Sequence, residues 1–186
     1  MIRKITALLF SMAFLSTFPF QTIVQAGDYS LVKAAAQVYN TDLKKTALHV
    51  TQDDELKEYF YDTTYIPIRD LFQGYTISLD KNQKVATVKN QDSELVLNFS
   101  GQEIKPSANQ VVLSSDTVRL SKGIAEISAF AITYIFDKYG DAIEDPERDA
   151  WKEKLSFLNI ETEGISGVRD GYMHVYVVYL DQSTEK

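Results

Sequence analysis

The sequence predicts an α+β fold: short antiparallel strands and hairpins with two main helices. Three observations carry this. Apolar and polar residues alternate over short runs, as in Tyr75–Asp80 and Leu95–Phe99, which is the period of a half-buried strand. Turn-forming residues, such as Asp80–Gln83 and Ser100-Gly101, separate the runs. Two segments then change to helical spacing behind a capping residue, one after Ser128 and one after Asp145.

The chain opens with a signal peptide, residues 1–26. Arg3 and Lys4 precede the apolar run Ile5–Phe20, and Val24 and Ala26 are small enough for the cleavage pocket of a signal peptidase. The apolar run is short for a hydrocarbon core that needs roughly 20 residues, so cleavage is expected rather than anchoring. Residues 27–35 read as a flexible leader. Ala36–Asn40 is a first strand, turned at Asn40–Asp42, and Thr46–Val50 continues extended. Gln52–Lys57 is charged and expected at the surface.

Thr64–Ile66 forms a strand that Pro67 ends or confines to an edge, because proline has no N–H for the ladder. Arg69–Gln73 can make one helical turn, closed by Gly74 with positive φ. Tyr75–Asp80 and Lys84–Val88 form a hairpin, and Leu95–Phe99 a further strand. Shorter strands are expected at Glu103–Lys105, Val111–Leu113, Thr117–Leu120 and Ile124–Ile127. Ala129–Tyr139 is helical, with Gly140 just past its end. The second helix begins at Asp145-Pro146 and buries Trp151, Leu155 and Leu158, spaced i, i+4, i+7. Tyr172–Leu180 is apolar on both faces, which predicts a central strand.

Composition bounds the partners. Of 186 residues, 45% are hydrophobic, enough for a folded core. Residues 1–26 hold two basic and no acidic residues, so the remainder carries 17 basic against 26 acidic side chains, a net −9. Such a surface repels phosphate backbones, so no nucleic acid is expected as partner, and no membrane after signal cleavage. With no cysteine, the protein is disulfide-free, and neither thiol chemistry nor a lipid-modified N-terminal cysteine is available.

The residues that could carry chemistry each have a plainer structural explanation. His49 and His174 are the two histidines, and both sit in strand segments. A histidine metal site needs more converging donors, so packing is the better reading. The acidic run Asp141, Glu144, Asp145, Glu147 and Asp149 lacks the central glycine of a calcium loop and is interrupted by Pro146. Helix capping explains it better. Arg69-Asp70 could form a functional ion pair, but Arg69 reads better as a brace of the helix start against a neighbouring strand or carbonyl. The cluster Tyr59-Phe60-Tyr61 could stack on a sugar or anchor a protein partner. Core or edge packing is the alternative, and sheet packing is expected for Tyr172, Tyr176 and Tyr179. There is no Gly-x-Ser-x-Gly elbow and no glycine-rich phosphate loop. Paired carboxylates, which converge only through the fold, stay open. The expectation is therefore no catalytic residue, no metal, no cofactor and no assigned binding residue.

The order strand, break, helix, glycine occurs at Thr64–Gly74 and again at Ala125–Gly140, a degenerate strand–helix–hairpin repeat. The first copy, Tyr65-Ile66-Pro67-Ile68-Arg69-Asp70-Leu71 with Gly74, Ile77–Asp80 and Lys84–Val88, resembles the copper amine oxidase-like N-terminal domain. This stalk domain occurs on exported proteins of Gram-positive bacteria. Pro67, Arg69, Gly74, Asp80, Val85 and Val88 match its pattern. Leu79 stands where the family has tryptophan, the helix after Arg69 is about a turn short, and Ser128 and Phe130 replace proline and arginine in the second copy. The resemblance covers 36–140, and 141–186 would complete the domain with a helix and a strand. It implies a non-catalytic module outside the cell, without copper or amine oxidation.

The function expected is a secreted, non-enzymatic module at the cell surface or wall, binding an envelope protein or glycan. The alternatives are a small exported hydrolase and an extracytoplasmic regulator or inhibitor of a surface enzyme.

Overall fold

The computed structural model describes residues 44–114, 117–138 and 144–180, apart from the side chains of 164–169. The signal segment, the leader, the Ala36–Asn40 strand with its turn, Gly140 and Asp141 lie outside these residues.

The fold is α+β, with eleven strands in three sheets. The first strand, β1 (Lys45–Gln52), turns into β2 (Glu55–Tyr61) through Asp53 and Asp54, both with positive φ, 49° and 61°. Two left-handed residues make the turn whose twist suits a hairpin. Within Gln52–Lys57, residues 53–57 are exposed, as the charge suggests, and form the hairpin turn and the start of β2.

Next, β3 (Tyr65–Pro67) leads directly into the short helix α1 (Ile68–Leu71). Pro67 is the last strand residue, and β3 pairs on one side only, with β9. Gly74 has φ +81°, a conformation that favours glycine, and releases the chain into β4 (Thr76–Asp80). There Ile77 and Leu79 turn inward while Thr76, Ser78 and Asp80 are exposed. The turn to β5 (Val85–Asn90) is held by Asp80 Oδ1, which accepts from the amides of Asn82 and Gln83 at 2.8 and 3.0 Å.

After β6 (Ser93–Asn98) comes β7 (Gln110–Ser114), which pairs with β6 in parallel. Parallel neighbours need a long crossover. Residues 99–109 supply it, so the strand expected at Glu103–Lys105 does not form. Asn98 fastens the crossover, donating to the Gln102 carbonyl at 2.6 Å and accepting from the Ser100 amide at 3.0 Å.

The hairpin of β8 (Val118–Ser121) and β9 (Ile124–Ser128) runs into α2 (Ala129–Phe136). Ser128 caps α2, as its sequence position predicts. Every residue of α2 is buried, as expected of a helix apolar on all sides. It ends earlier than its spacing predicts, because Asp137 bridges Thr162 and the Lys138 amide donates to the Thr162 carbonyl at 2.9 Å. The last helix, α3 (Pro146–Leu155), is capped by Asp145 and continues as a 3-10 turn, Ser156–Leu158. Trp151, Leu155 and Leu158 are buried.

Two long strands close the chain, β10 (Ile160–Arg169) and β11 (Tyr172–Tyr179). The sequence reading did not include β10. As predicted, β11 is central: it lies between β10 and β1 in the order β10-β11-β1-β2, and it runs parallel to β1. The other sheets are β4-β5-β6-β7 and β3-β9-β8. The two strand–helix units meet here, since β3 and β9 pair antiparallel through Ile66 and Ile127. One continuous core joins Leu48 and Val50 of β1, Ile132 and Ile135 of α2, Leu95 and Leu97 of β6, and Val175 and Val177 of β11.

Candidate functional site

The inner face of the β10-β11-β1-β2 sheet belongs to the core, so its outer face is set by strand alternation. On β11, Met173, Val175 and Val177 point inward and are buried, leaving Tyr172, His174, Tyr176 and Val178 outside. The register places Lys45 beside Tyr172, Ala47 beside His174, His49 beside Tyr176 and Thr51 beside Val178. Across β1 stand Phe60, Glu58 and Leu56 of β2, opposite Ala47, His49 and Thr51.

This face brings together residues that the sequence treated separately. His49 Nε2 and His174 Nδ1 are 2.9 Å apart. The other nitrogen of His49, Nδ1, is 2.8 Å from Glu58 Oε1, close enough for an ion pair though bent away from an ideal hydrogen bond. Tyr176 lies flat over His49, with ring centroids 4.3 Å apart and planes 9° from parallel. His49 is only 5% exposed despite its outward position. Next to the cluster, Phe60 is 60% exposed and meets the Tyr172 ring edge-on at 5.6 Å. Lys45 sits over the other part of Tyr172, 5.3 Å from its centroid, and pairs with Asp62 at 3.1 Å. Leu56, 55% exposed, extends the apolar surface along the edge strand.

Strand parity divides the aromatic cluster of β2. Phe60 faces out, while Tyr59 and Tyr61 pack against the core. The Tyr61 hydroxyl donates to Asp70 at 2.7 Å, and burial together with that bond pushes its ionisation upward. This takes up the Asp70 carboxylate, and Arg69 is exposed. The brace expected of Arg69 does not form; Arg119 instead ties β8 to β9 and to the start of β3, pairing with Glu126, donating to Thr63 at 2.9 Å and covering the Tyr65 ring at 4.3 Å. Tyr179, as expected, is a packing residue. Its hydroxyl donates to the Leu71 carbonyl and accepts from the Gln73 amide at 2.8 Å.

Of the acidic run, Asp145, Glu147 and Asp149 serve the start of α3. Asp145 accepts from the Arg148 amide at 3.2 Å, and Glu147 and Asp149 occupy the first turn of α3. The Tyr134 hydroxyl also donates to Asp145 and is the main cause of a carboxyl held below the usual carboxylate range. Among the described residues, no group of three or more histidines and carboxylates is placed to hold a metal ion. Among the described residues, buried Glu126 pairs with Arg119 and buried Arg148 with Asp149, while His49 approaches Glu58 as above. A separate open cleft of about 420 Å³ lies between Lys84, Asn98 and Phe99 on one side and Arg119 and Leu120 on the other. Its arginine is already engaged as described.

No family model, curated protein or solved structure matches the chain.

Neither histidine signalled the site in the sequence. Each occupies an ordinary strand position, and only the parallel junction of β1 and β11 joins them. The alternation of Tyr172, His174 and Tyr176 was the one available hint that polar aromatic rings share a face.

Proposed function

We propose that this chain is a secreted, non-enzymatic interaction module of the cell surface, and that it binds an envelope protein or glycan through the outer face of the β10-β11-β1-β2 sheet. The observation that carries this reading is Phe60, 60% exposed and set edge-on against Tyr172 on a face that also presents Tyr176 and Leu56. The face sets the apolar rings and Leu56 around a polar middle of Glu58, His49 and His174, with Lys45 and Asp62 at one end. Aromatic rings supply contact area at low entropy cost and stack on sugar rings or seat in protein pockets. The signal segment and the stalk-like motif Tyr65–Leu71 support an extracytoplasmic, Gram-positive setting. No cofactor is required by this function.

Capture from isolated cell envelopes tests the reading. The secreted protein should enrich a wall polymer or a surface protein, and Phe60→Ala with Tyr172→Ala should reduce that capture at least about tenfold, the scale of hot-spot losses near 1.4 kcal/mol or more. Failure to enrich either class, or capture indifferent to the double substitution, would sink it.

A further inference from the structure

The protein has two histidines, separated by 125 positions, and the fold sets their rings nitrogen to nitrogen at 2.9 Å. Histidine is the side chain whose ordinary titration falls between about pH 5 and 8. A nitrogen-to-nitrogen hydrogen bond needs one N–H and one bare lone pair. With His49 Nδ1 protonated toward Glu58, the pair has two compatible states. In one, both rings are neutral and His174 Nδ1 donates to His49 Nε2. In the other, His49 is an imidazolium beside the Glu58 carboxylate and donates to His174. One excess proton is therefore accommodated with every contact kept. A second is not, because two N–H groups would then face each other across 2.9 Å, each on a charged ring.

The described charged groups near the pair are already engaged or stand at the ends of the face. Glu58 on β2 is already engaged by His49 Nδ1. Lys45 on β1 adds a like charge near Tyr172 and is paired with Asp62. On β10, Glu161 stands opposite Val178 and Arg169 opposite Tyr172 in register, at the two ends of the face, while Glu163, in the bulge between Thr162 and Ile165, is paired with Lys138. Tyr172 and Tyr176 of β11 are the other titratable neighbours. The backbone ladder fixes β1 against β11, so the rings can separate only by side-chain rotation. His174, half-buried where His49 is buried, is the one that can turn out toward solvent.

We propose that Glu58, His49 and His174 form an acid-triggered switch of the aromatic face. Below the range in which both imidazoles accept protons, His174 swings away from His49 and the stack of His49, His174 and Tyr176 opens beside Phe60 and Tyr172. This inference rests on the reading of that face as the binding surface and supplies its regulation.

Histidine ring NMR of the secreted protein across pH 4–8 tests the switch on the protein alone. The two rings should titrate in two separate steps, as coupled sites do, rather than independently. The Tyr176 ring signals should move with the lower step. His174→Gln, at a half-buried position that keeps a polar side chain, should leave His49 with one step and remove the lower Tyr176 transition. Two independent single steps at a common midpoint, or Tyr176 signals that ignore the lower step, would overturn the proposal. The titration needs no ligand, so its failure leaves the binding reading standing. Capture unaffected by Phe60→Ala and Tyr172→Ala overturns that reading without touching the titration.

Discussion

Tyrosine hydroxyls act as clasps between distant segments. Tyr179 ties β11 to both ends of the turn after α1, Tyr75 donates to the Leu158 carbonyl, Tyr61 to Asp70 and Tyr134 to Asp145. In each case the ring buries apolar area while the hydroxyl finds a hydrogen-bond partner. Tyr179→Phe keeps the ring and strands the Leu71 carbonyl and the Gln73 amide. It should cost about 1–3 kcal/mol, measured by urea unfolding, and an unchanged midpoint would show that water replaces the hydroxyl. The same clasps set an alkaline limit. Burial pushes the Tyr75 hydroxyl from the ordinary 10.0 up to about 12, and burial likewise leads the rises at Tyr61, Tyr134 and Tyr179. A raised phenol pKa means the folded state prefers the neutral form. The stability it contributes is complete below pH 10, the unfolded value, and is lost as pH rises toward about 12. Phenolate absorbance from these four tyrosines should therefore appear only together with loss of the near-UV circular dichroism. Their ionisation while the near-UV circular dichroism is still intact would refute this.

Among the elements, α3 depends most visibly on its start. Asp145 caps the Arg148 amide and takes the Tyr134 hydroxyl, with Pro146 in the first turn. Asp145→Ala should destabilise by about 0.5–2 kcal/mol, the usual range for a lost cap. Because the Asp145 carboxyl is held below its ordinary range, its stabilisation is present above that range and disappears as pH falls through the folded value. The stability gap between wild type and variant should narrow in acid, and a gap that stays constant would assign the loss to packing instead. This cap was legible because its signals, Asp145, Pro146 and Glu147, are local. So were Ser128, Pro67, Gly74 and the Asp80 turn. What escaped reading depends on distant partners. Strand β10 contains Gly164, Ser166 and Gly167, and its register slips between Thr162 and Ile165 and again before Val168, so no period of two survives in its sequence. Glu103–Lys105 alternates like a strand, yet the parallel pairing of β6 and β7 needs that stretch as a crossover. The β1–β2 turn uses Asp53-Asp54 in left-handed geometry without the glycine that usually marks it. The candidate site was illegible for the same reason. The sequence shows Tyr59-Phe60-Tyr61 as a cluster, but only the pairing of β1 with β11 decides that Phe60 faces out beside Tyr172 and that His49 meets His174.

At the scale of the molecule, the C-terminal segment is structural rather than appended. Strand β11 lies inside a sheet whose other half, β1 and β2, comes from the start of the described chain. The 3-10 turn beyond α3 is fastened to the β4–β5 hairpin through Tyr75 to Leu158 and Asn90 to Phe157. The Leu180 amide closes the segment on the Asn159 carbonyl at 2.8 Å. A chain ending at Asn159 would lose the buried side chains of Ile160, Met173, Val175 and Val177 from the core. At roughly 1.5–3 kcal/mol for each large apolar side chain, these four account for about 6–12 kcal/mol. The net stability of a domain is only about 5–15 kcal/mol. The loss also bares Leu48 and Val50 on β1 and leaves His49 without its stacked neighbours, so it removes the candidate site together with its support. The truncated chain should show no cooperative thermal transition and should be cleaved rapidly by protease under conditions where the full-length protein resists. If it unfolds cooperatively with native-like near-UV circular dichroism, then residues 44–159 hold a self-sufficient core, and β10 and β11 are an addition to the domain rather than part of it.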